Sequence, residues 1–410
     1  MQVLLVGSGG REHALAWRLV ASDTLSELHA APGNPGIARL GHCHPVRAQD
    51  GEGLLDLARE LGADLVVIGP ESPLVAGVAD ELRHAGVAVF GPSAEAARIE
   101  GSKRFAKEVM AAAGVPHART LAAAQPPCVV KVDGLAAGKG VFVCREPDEV
   151  ERALRAAAGL GGPVLVEELL EGTEVSLFAL CDGRDLVSLP SARDFKRACD
   201  GELGPNTGGM GSYAPVSGLD GPALDEIVEQ VHRPVLAELA RRGTPFVGLL
   251  YAGLMLTEAG PKVLEFNCRF GDPETQSLLP LLAGDFLGAL AAAATGSLDG
   301  VELETTGEAS VTVVLAACDY PERGDAGTPI DGVDAAEAAG ALVFHAGTAL
   351  HDGQLVTNGG RILNVTAVGA DLAAARAAAY GAAERIRFSG CRARTDIALE
   401  SSRREPHVSV

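Results

Sequence analysis

Short apolar runs alternate with helical stretches over the first hundred residues of the chain. The apolar runs of strand length are Val3–Val6, Leu65–Ile68 and Val87–Phe90, and the helical stretches are His13–Val20 and Leu54–Leu61. Continuous rather than alternating apolar strands are typical of a parallel sheet covered on both faces, where ligands bind beyond the carboxyl ends of the strands. The pattern predicts such an α/β sheet over residues 1–100, with ligand loops at Gly7–Glu12 and Gly69–Leu74.

The pattern changes to α+β from Ser102 to about Gly296. Gly-interrupted apolar runs predict β-hairpins around Val129–Val143 and Val164–Leu180. Two more strands are predicted at Leu249–Leu256 and Lys262–Phe266, and the Ala-rich helix Phe286–Thr295 closes the unit. We therefore expect a second domain over residues 101–305, with a subdomain at about 117–182.

A third, smaller α+β domain is predicted over residues 306–410. Its expected strands are Ser310–Ala316, Leu342–Gly347 and Arg361–Val368, and its expected helix is Leu372–Ile386. No internal repeat is evident, so the chain reads as a multidomain α/β and α+β protein.

The charge balance narrows the classes of partner. Lys+Arg number 34 against 54 Asp+Glu, which gives a formal net charge of −20. Such a surface repels nucleic-acid backbones and anionic membranes. A phosphorylated small molecule must then be held by particular Lys and Arg side chains and by backbone N–H groups. We expect no nucleic-acid partner.

Cysteine usage and hydropathy favour a cytoplasmic protein. The eight cysteines are scattered, with no Cys-x-x-Cys pair, which is typical of reduced thiols. No apolar run reaches the ~18 residues that a membrane span needs, and Met1–Gly7 reads as a strand rather than a leader. We expect neither export nor a membrane partner.

Two loops at the predicted sheet edge carry candidate binding groups. Gly7–Glu12 follows a strand and opens a helix, so its N–H groups and Arg11 can hold a phosphate, although a purely structural turn has the same pattern. Glu12 stands where a dinucleotide-binding turn needs glycine, which disfavours NAD. Gly69–Leu74 places Glu71 at the same edge, either as an acceptor for a ribose or amine or as a solvated residue of a Pro-stiffened turn.

The segment Val129–Val143 is a strand, a Gly-rich loop and a second strand, and resembles a flap that covers phosphates. It is not a P-loop, because Gly140 replaces the Mg-binding hydroxyl and a strand follows instead of a helix. Lys131 on the strand and Lys139 in the loop can offset nucleotide charge. The alternative is an ordinary Gly-rich hairpin with solvated lysines.

Two further strand ends carry polar groups. Val164–Glu174 ends in carboxylates that suit a nucleoside, although most acidic clusters are simply solvated. In Lys262–Glu274, Glu265 and Asn267 are two residues apart and should share one face as Mg²⁺ ligands, with Arg269 continuing that face. Leu264, Phe266 and Cys268 are expected on the opposite, buried face; a polar strand edge is the alternative.

Motifs spread over nearly the whole chain occur together. They are Gly7–His13, Gly69–Leu74, Glu100–Lys103, Lys131–Gly140, Gly204–Gly211, Leu250–Met255, Glu265–Gln276 and Thr357–Arg361. In this combination the chain resembles the phosphoribosylamine–glycine ligases, also called glycinamide ribonucleotide synthetases, within the ATP-grasp superfamily. The resemblance implies a Rossmann-like N-terminal sheet, a central ATP-grasp fold and a small C-terminal domain.

The resemblance also implies an activity. Glycine is ligated to 5-phosphoribosylamine through glycyl phosphate, giving glycinamide ribonucleotide, ADP and phosphate, the second step of purine synthesis. The implied cofactors are ATP and Mg²⁺ or Mn²⁺, the implied partners are the two small-molecule substrates, and a monomer is the working expectation.

Site residues carried over from the family fall into four groups. Arg269, Lys131, Asp272 and Asn206 are implied to act in catalysis, and Glu265 and Asn267 to bind the metal. The implied nucleotide contacts are Lys103, Lys131, Gly138, Lys139, Glu167, Glu168, Leu169 and Glu174. The implied substrate contacts are Gly9, Gly10, Arg11, Glu12, Glu71, Thr207, Gly208 and Gly209.

Two departures from the family pattern leave questions open. Arg193 opens the segment Arg193–Arg197, where members of the family often carry glutamine. Ala252–Met255 supplies no second metal carboxylate, so the number of metal ions is open. The rival interpretations are another ATP-grasp ligase, disfavoured by Gly204–Gly211 and Arg269–Gln276, and a dehydrogenase-like nucleotide-binding module, disfavoured by Glu12.

Overall fold

The computed structural model describes residues 1–135 and 140–403 of the chain. Gly138 and Lys139, which were predicted to contact nucleotide, lie outside the described residues. No helix in the described part of the chain is long and apolar enough to cross a membrane.

The N-terminal region is a five-stranded parallel sheet in the order β3-β2-β1-β4-β5. Its strands are β1 (Gln2–Gly7), β2 (Glu27–Pro32), β3 (His42–Cys43), β4 (Leu65–Ile68) and β5 (Val89–Phe90). Its helices are α1 (Gly10–Leu19), α2 (Gly51–Leu61), α3 (Glu71–Ala76), α4 (Val78–His84) and α5 (Ala94–Gly101). The predicted parallel sheet is confirmed, and β2 and β3 are additional strands that the apolar pattern did not indicate.

Both faces of this sheet are buried, as its continuous apolar strands predicted. Val3 and Leu5 pack in one apolar cluster with Leu15 of α1. Leu4 and Val6 pack in another cluster with Leu54 of α2. The carboxyl ends of β1 and β4 therefore open onto the two predicted ligand loops.

The central region carries most of the remaining strands and helices. The strands are β6 (Cys128–Val132), β7 (Val141–Cys144), β8 (Val164–Glu168), β9 (Thr173–Asp182), β10 (Leu186–Asp194), β11 (Arg197–Cys199), β12 (Leu203–Asn206), β13 (Gly211–Ala214), β14 (Val247–Thr257), β15 (Gly260–Asn267), β16 (Leu282–Ala283) and β17 (Glu304–Thr305). The helices are α6 (Lys103–Ala113), α7 (Pro147–Leu160), α8 (Gly221–Arg241), α9 (Glu274–Leu278) and α10 (Phe286–Thr295).

Strands β7, β6 and β8 form a small antiparallel sheet that packs on α7. The predicted hairpin at Val129–Val143 is present as β6 and β7. The predicted hairpin at Val164–Leu180 is wrong, because β8 pairs with β6 whereas β9 pairs with β10 and β14 in another sheet. The chain crosses between the sheets at Gly172, where a Cβ would lie 2.1 Å from the Leu256 carbonyl oxygen.

The C-terminal region adds the strands β18 (Ala309–Ala316), β19 (Asp325–Pro329), β20 (Leu342–His345), β21 (Thr348–His351), β22 (Gln354–Gly359) and β23 (Arg361–Gly369), with the helices α11 (Val333–Glu337) and α12 (Leu372–Ala383). Its strand β18 pairs with β13 of the central region. One eight-stranded sheet, in the order β15-β14-β9-β10-β13-β18-β23-β20, therefore runs through both regions.

Three buried histidines have lowered pKa values: His232 inside the central region, and His13 and His345 where the N-terminal and C-terminal regions meet. His232 on α8 is fully buried, and burial lowers its pKa from 6.5 to about 4. Burial, together with the neighbouring His345 and Arg39, lowers the pKa of His13 to about 3. Burial and Arg39 lower the pKa of His345 to about 4. All three are therefore neutral in the folded protein at pH 6 and above.

The unfolded chain takes up a proton at each of these histidines below about pH 6.5, so acid favours unfolding. His232→Leu removes one such group from an apolar position. As the pH is lowered, the free energy of unfolding of the unmodified chain should fall more steeply than that of the variant. The difference in slope should approach about 1.4 kcal/mol per pH unit near pH 5. Urea denaturation at half-unit steps from pH 7.5 to 4.5 measures the difference, and parallel curves would contradict it.

Candidate active site

Glu12 lies inside a cage of three glycines at the carboxyl edge of the parallel sheet. A Cβ at Gly69, Gly7 or Gly9 would lie 2.2, 2.6 or 2.7 Å from Glu12 side-chain atoms. The Glu12 carboxylate accepts a hydrogen bond from the Gly9 N–H at 2.6 Å and pairs with Arg11 Nε at 2.6 Å. Its exposure is only 2%. Glu12 thus holds the predicted phosphate loop in place, and its contact with substrate stays a prediction.

Arginine and glutamate side chains alternate between this loop and the segment after β15. Glu71 Oε2 lies 3.1 Å from Arg269 Nε and 3.4 Å from Arg11 NH2. Arg269 also pairs with Glu100 at 3.2 Å. Burial alone would raise the pKa of Glu71, but Arg269 and Arg11 lower it to about 2. The predicted substrate residues Arg11 and Glu71 and the predicted catalytic residue Arg269 therefore form one charged network.

Strand β15 carries the predicted metal ligands next to a β-bulge. Glu265 pairs with Gly253 of β14, but the register then shifts so that Leu254 pairs with Val263. Val263 is buried where Leu264 was expected, so that prediction was wrong, while Phe266 and Cys268 are buried as expected. The bulge leaves the Leu264 carbonyl oxygen 2.9 Å from Lys131 Nζ.

Glu265 and Asn267 are half-buried on the face opposite Phe266. Burial raises the pKa of Glu265, but Lys196, Lys131, Lys103 and Arg269 outweigh it, so the net pKa is lowered. No three His, Cys, Asp or Glu side chains among the described residues are arranged to hold a metal. The oxygen donors of Glu265 and Asn267, amid cations that attract phosphates, fit Mg²⁺ that shares its ligand shell with a triphosphate.

Glu167 lies between two lysines. Its carboxylate is 2.8 Å from Lys131 Nζ and 2.7 Å from Lys107 Nζ, and its exposure is 2%. Lys107 was not predicted, although it lies four residues after Lys103 on α6 and therefore on the same helix face. Glu167 positions both ammonium groups, and a direct contact with the nucleoside stays a prediction.

Lys103 and Glu168 have different surroundings. Asp133 caps α6 by accepting the Lys103 N–H at 2.6 Å, and Lys103 Nζ donates to the Gly134 carbonyl at 3.0 Å. Burial lowers the pKa of Lys103. Glu168 pairs with Arg119 at 2.8 Å and with Lys262 at 3.3 Å. Lys103 thus lies at the root of the Gly-rich loop, whereas Glu168 lies opposite Cys128, at the end of β6 far from that loop.

Lys196 connects the predicted nucleotide and metal residues. Its Nζ donates to Glu174 and lies 3.9 Å from Glu265 Oε1. Burial opposes the charge on Lys196, but Asp194 and Glu174 outweigh it and raise its pKa well above the ordinary value. Lys196 belongs to the segment whose role the sequence left open, and the structure places it beside Glu265.

The loop Thr207–Gly209 is fixed by two residues of the C-terminal region. Arg361 NH1 donates to the carbonyls of Gly208 and Asp272, each at 2.6 Å, and NH2 pairs with the Asp272 carboxylate at 3.1 Å. The Gly208 N–H donates to Tyr320 Oη at 3.0 Å. Arg361 was quoted in a motif without a role, and Tyr320 was missed, because nothing local marks either as a contact of a distant loop.

The remaining predicted residues lie around this centre. Asn206 Nδ2 donates to the Val141 carbonyl at 3.1 Å, which ties the loop to the flap strand β7. Gly10 abuts β23, where a Cβ would lie 2.3 Å from Asn364 Nδ2. Leu169 is half-buried just after β8. The predicted substrate loops thus lie where the three regions meet, whereas Glu167, Glu168 and Leu169 lie on or just after β8 of the small sheet.

Family models match most of the chain. The N, ATP-grasp (A) and C domains of phosphoribosylglycinamide synthetase match residues 1–100, 101–275 and 310–400. The chain belongs to the phosphoribosylglycinamide synthetase family. This match confirms three predictions from the sequence. They are the family resemblance, the fold class and the assignment to the ATP-grasp ligases.

Relatives of the synthetase family match along almost their full length. The chain is 53% identical to the phosphoribosylamine–glycine ligase of Streptomyces coelicolor, covering 98% of this chain and 100% of that protein. It is 50% identical to the corresponding ligase of Corynebacterium ammoniagenes, with 97% of each chain covered.

Solved structures agree with this assignment. The crystal structure of phosphoribosylamine–glycine ligase from Thermotoga maritima matches with a TM-score of 0.85 and 38% identity, over 97% of this chain and 100% of that one. The biotin carboxylase domain of Hydrogenobacter thermophilus 2-oxoglutarate carboxylase, solved with MgADP and bicarbonate, matches with a TM-score of 0.68 and 18% identity, over 96% of this chain and 91% of that one. The second match shows a shared fold alone.

Neighbouring carboxylates on β8 offer a matched test of the buried lysine pair. Glu167→Gln leaves Lys107 and Lys131 buried without their carboxylate, which should lower the free energy of unfolding by about 3–5 kcal/mol. Glu168→Gln should cost at most about 1 kcal/mol, because both of its partners reach solvent, with Arg119 77% and Lys262 28% exposed. Denaturant unfolding at pH 7 compares the variants. An equal loss of unfolding free energy in Glu167→Gln and Glu168→Gln would show that Glu167 does not stabilise the two lysines.

Proposed function

We propose that this chain uses ATP to ligate glycine to 5-phosphoribosylamine, giving glycinamide ribonucleotide, ADP and phosphate. The observation that carries the proposal is that Lys196 Nζ lies 3.9 Å from Glu265 Oε1 and that the charges of Lys131, Lys103 and Arg269 also lower the pKa of this carboxylate. In a chain of net charge −20, four cations around one carboxylate make a local site for a highly charged anion. The names of the family and of its relatives supply the identity of the substrates.

The reaction needs activation of a carboxylate. Glycine is a poor acylating agent because its leaving group would be oxide, so transfer of the γ-phosphoryl group to the carboxylate first forms glycyl phosphate. Mg²⁺ held by Glu265 and Asn267, or Mn²⁺ in its place, would supply Lewis-acid stabilisation of phosphoryl charge. Lys131 is held by Glu167 and the Leu264 carbonyl, so it is already oriented before ATP binds.

Arg269 is the cation best placed to meet the transferred phosphoryl group. It lies two residues after Asn267 and is held by Glu71 and Glu100 at 3.1 and 3.2 Å. These two carboxylates raise its pKa against the effect of burial. Arg269 therefore stays charged and fixed throughout the pH range in which the enzyme is folded.

The amine substrate is proposed to occupy the side of the site formed by the N-terminal and C-terminal regions. The N-terminus of α1 and Arg11 suit its phosphate. Burial raises the pKa of Asp272, but Arg361 and Arg11 lower it, so this carboxylate is ionised and can orient the amine. Closure of the Gly-rich flap over the nucleotide would keep water from hydrolysing the acyl phosphate.

Further features of the proposal concern the setting of the enzyme. We propose a cytoplasmic monomer with small-molecule partners and no nucleic-acid partner, consistent with the acidic charge and the scattered reduced cysteines. The three-domain division at residues 100 and 305 is retained as part of the proposal, although one sheet joins the second and third regions.

The central test is an assay of ADP release from ATP, glycine and freshly generated phosphoribosylamine. Turnover should require all three substrates and a divalent cation. Glu265→Ala should lower kcat/KM by at least about 100-fold, because it removes one metal ligand. Glu258→Ala, at the exposed turn of the same β14–β15 hairpin, should leave it unchanged.

Two outcomes of this assay would contradict the proposal. ADP release that does not depend on phosphoribosylamine would point to another carboxylate-activating ligase. An unchanged kcat/KM in Glu265→Ala at limiting Mg²⁺ would remove Glu265 from the metal site.

Arg361 allows a test of the contribution of the C-terminal region. Arg361→Lys keeps the charge, but a lysine cannot donate at once to the Gly208 carbonyl, the Asp272 carbonyl and the Asp272 carboxylate. We expect kcat/KM for phosphoribosylamine to fall about 10- to 100-fold, with the KM for ATP little changed. The matched control, Arg323→Lys, alters an arginine whose side chain is 78% exposed in the same region. An equal fall in kcat/KM for phosphoribosylamine and for ATP would instead indicate that Arg361 has a general structural role.

A further inference from the structure

Arg394, in the C-terminal region, is a buried arginine that the sequence did not single out. Its side chain is only 1% exposed. Its Nε and NH2 pair with the Asp396 carboxylate at 2.7 and 2.8 Å, and NH2 also pairs with Glu202 at 2.7 Å. NH1 donates to the Arg197 carbonyl at 3.0 Å. Burial alone would lower the pKa of Arg394, but Asp396 and Glu202 raise it. A buried, charged guanidinium thus connects the C-terminal region to the start of β11.

Strands β11 and β12 and the turn between them form a two-stranded ribbon that the same C-terminal segment holds. The Thr395 N–H donates to Asp200 at 2.8 Å, and the Asp396 carboxylate accepts the Gly201 N–H at 2.8 Å. Glu202 has a φ of 58°, a left-handed conformation that glutamate rarely adopts. The contacts from the C-terminal segment therefore keep this turn in a conformation that it would not hold by itself.

The base of the ribbon carries Lys196, which immediately precedes β11. Its carbonyl oxygen accepts hydrogen bonds from both the N–H and the hydroxyl of Thr207, each at 2.8 Å. Its Nζ donates to Glu174 and lies 3.9 Å from Glu265 Oε1. Asn206, the last residue of β12, donates to the flap strand β7. The ribbon thus joins the C-terminal segment to Lys196, to the loop that begins at Thr207 and to the flap.

Arg394 contacts both sequence neighbours of Lys196. On one side it holds the carbonyl of Arg197. On the other side its guanidinium carbon lies 5.0 Å from the centre of the buried Phe195 ring, within the range of a cation–π interaction. Arg193, whose role the sequence left open, lies 5.6 Å from the centre of the same ring. The backbone is therefore fixed immediately before and immediately after Lys196.

We propose that Arg394 is a positioning residue of the ligase and acts through Lys196. By holding Phe195 and Arg197, it fixes the backbone from which the Lys196 side chain extends, so that the ammonium group stays beside Glu265. A cation that is oriented before its anionic partner arrives loses less conformational entropy when it binds. Arg394 thus strengthens the binding of the ATP phosphates without contacting them. The inference rests on the proposed function, which places the nucleotide beside Lys196.

The test is a double-mutant cycle of Arg394→Gln and Lys196→Met in the full chain. Calorimetry with Mg²⁺ and the non-hydrolysable ATP analogue adenylyl imidodiphosphate measures nucleotide affinity without turnover, so its result does not depend on the identity of the amine substrate. Arg394→Gln should weaken binding about tenfold, as expected for coupled residues. The double variant should bind only as weakly as Lys196→Met alone, because Arg394 has nothing left to position.

Steady-state kinetics provide a second readout. In Arg394→Gln the KM for ATP should rise, whereas the KM for phosphoribosylamine should stay within about twofold of its value in the unmodified chain. The matched control, Arg385→Gln, alters an exposed arginine just after α12 and should leave both KM values and the nucleotide affinity unchanged.

Three results would overturn the role of Arg394. They are an unchanged nucleotide affinity in Arg394→Gln, losses of affinity that add up in the double variant, and an equal rise in KM for ATP and for phosphoribosylamine. If Arg394→Gln does not fold, Glu202→Gln takes its place in the same cycle, because Glu202 is 55% exposed and Asp396 still pairs with the arginine. Its expected loss of affinity is about threefold, and no loss would overturn the proposal. Phosphoribosylamine-independent ADP release with an intact cycle would count against the proposed function alone.

Discussion

The structure depends on the pairing of buried cations with shared carboxylates. A site for a triphosphate and a phosphorylated amine needs many positive groups close together, and such groups repel one another and lose hydration when buried. In two places a single carboxylate lies between two of these cations. Glu167 lies between Lys107 and Lys131, and Glu71 between Arg11 and Arg269. These carboxylates thus hold the cations in position.

This pairing also explains why three regions of the chain build one site. Arg11 comes from the N-terminal sheet, Arg269 from the segment after β15, and Arg361 from β23, and each pairs with a carboxylate of another region or loop. The eight-stranded sheet that joins β13 to β18 keeps Arg361 in register with the loop around Gly208. Substrate specificity can therefore depend on residues that are far apart in sequence.

The sequence predicted those features that depend on local pattern. Apolar runs identified β1 and β4 because both faces of these strands are buried, and the Ala-rich α10 was predicted with its observed bounds. The pairing of β8 and the bulge at Leu264 were missed, because strand partners and register depend on contacts between distant segments. For the same reason, the motifs indicated which residues gather at the site, but not that Glu12 and Glu167 are enclosed by other side chains and glycines.

The glycine cage around Glu12 constrains how this turn can change. Shortening residue 12 to glycine would convert the motif toward a dinucleotide-binding turn, but would empty the space that Gly7, Gly9 and Gly69 now leave for the carboxylate. Adding a side chain at any of the three glycines would first collide with Glu12. Neither kind of single replacement is neutral on its own. Converting the present turn into a dinucleotide-binding turn therefore requires several substitutions at once. A scaffold of this kind therefore resists single replacements at these four positions.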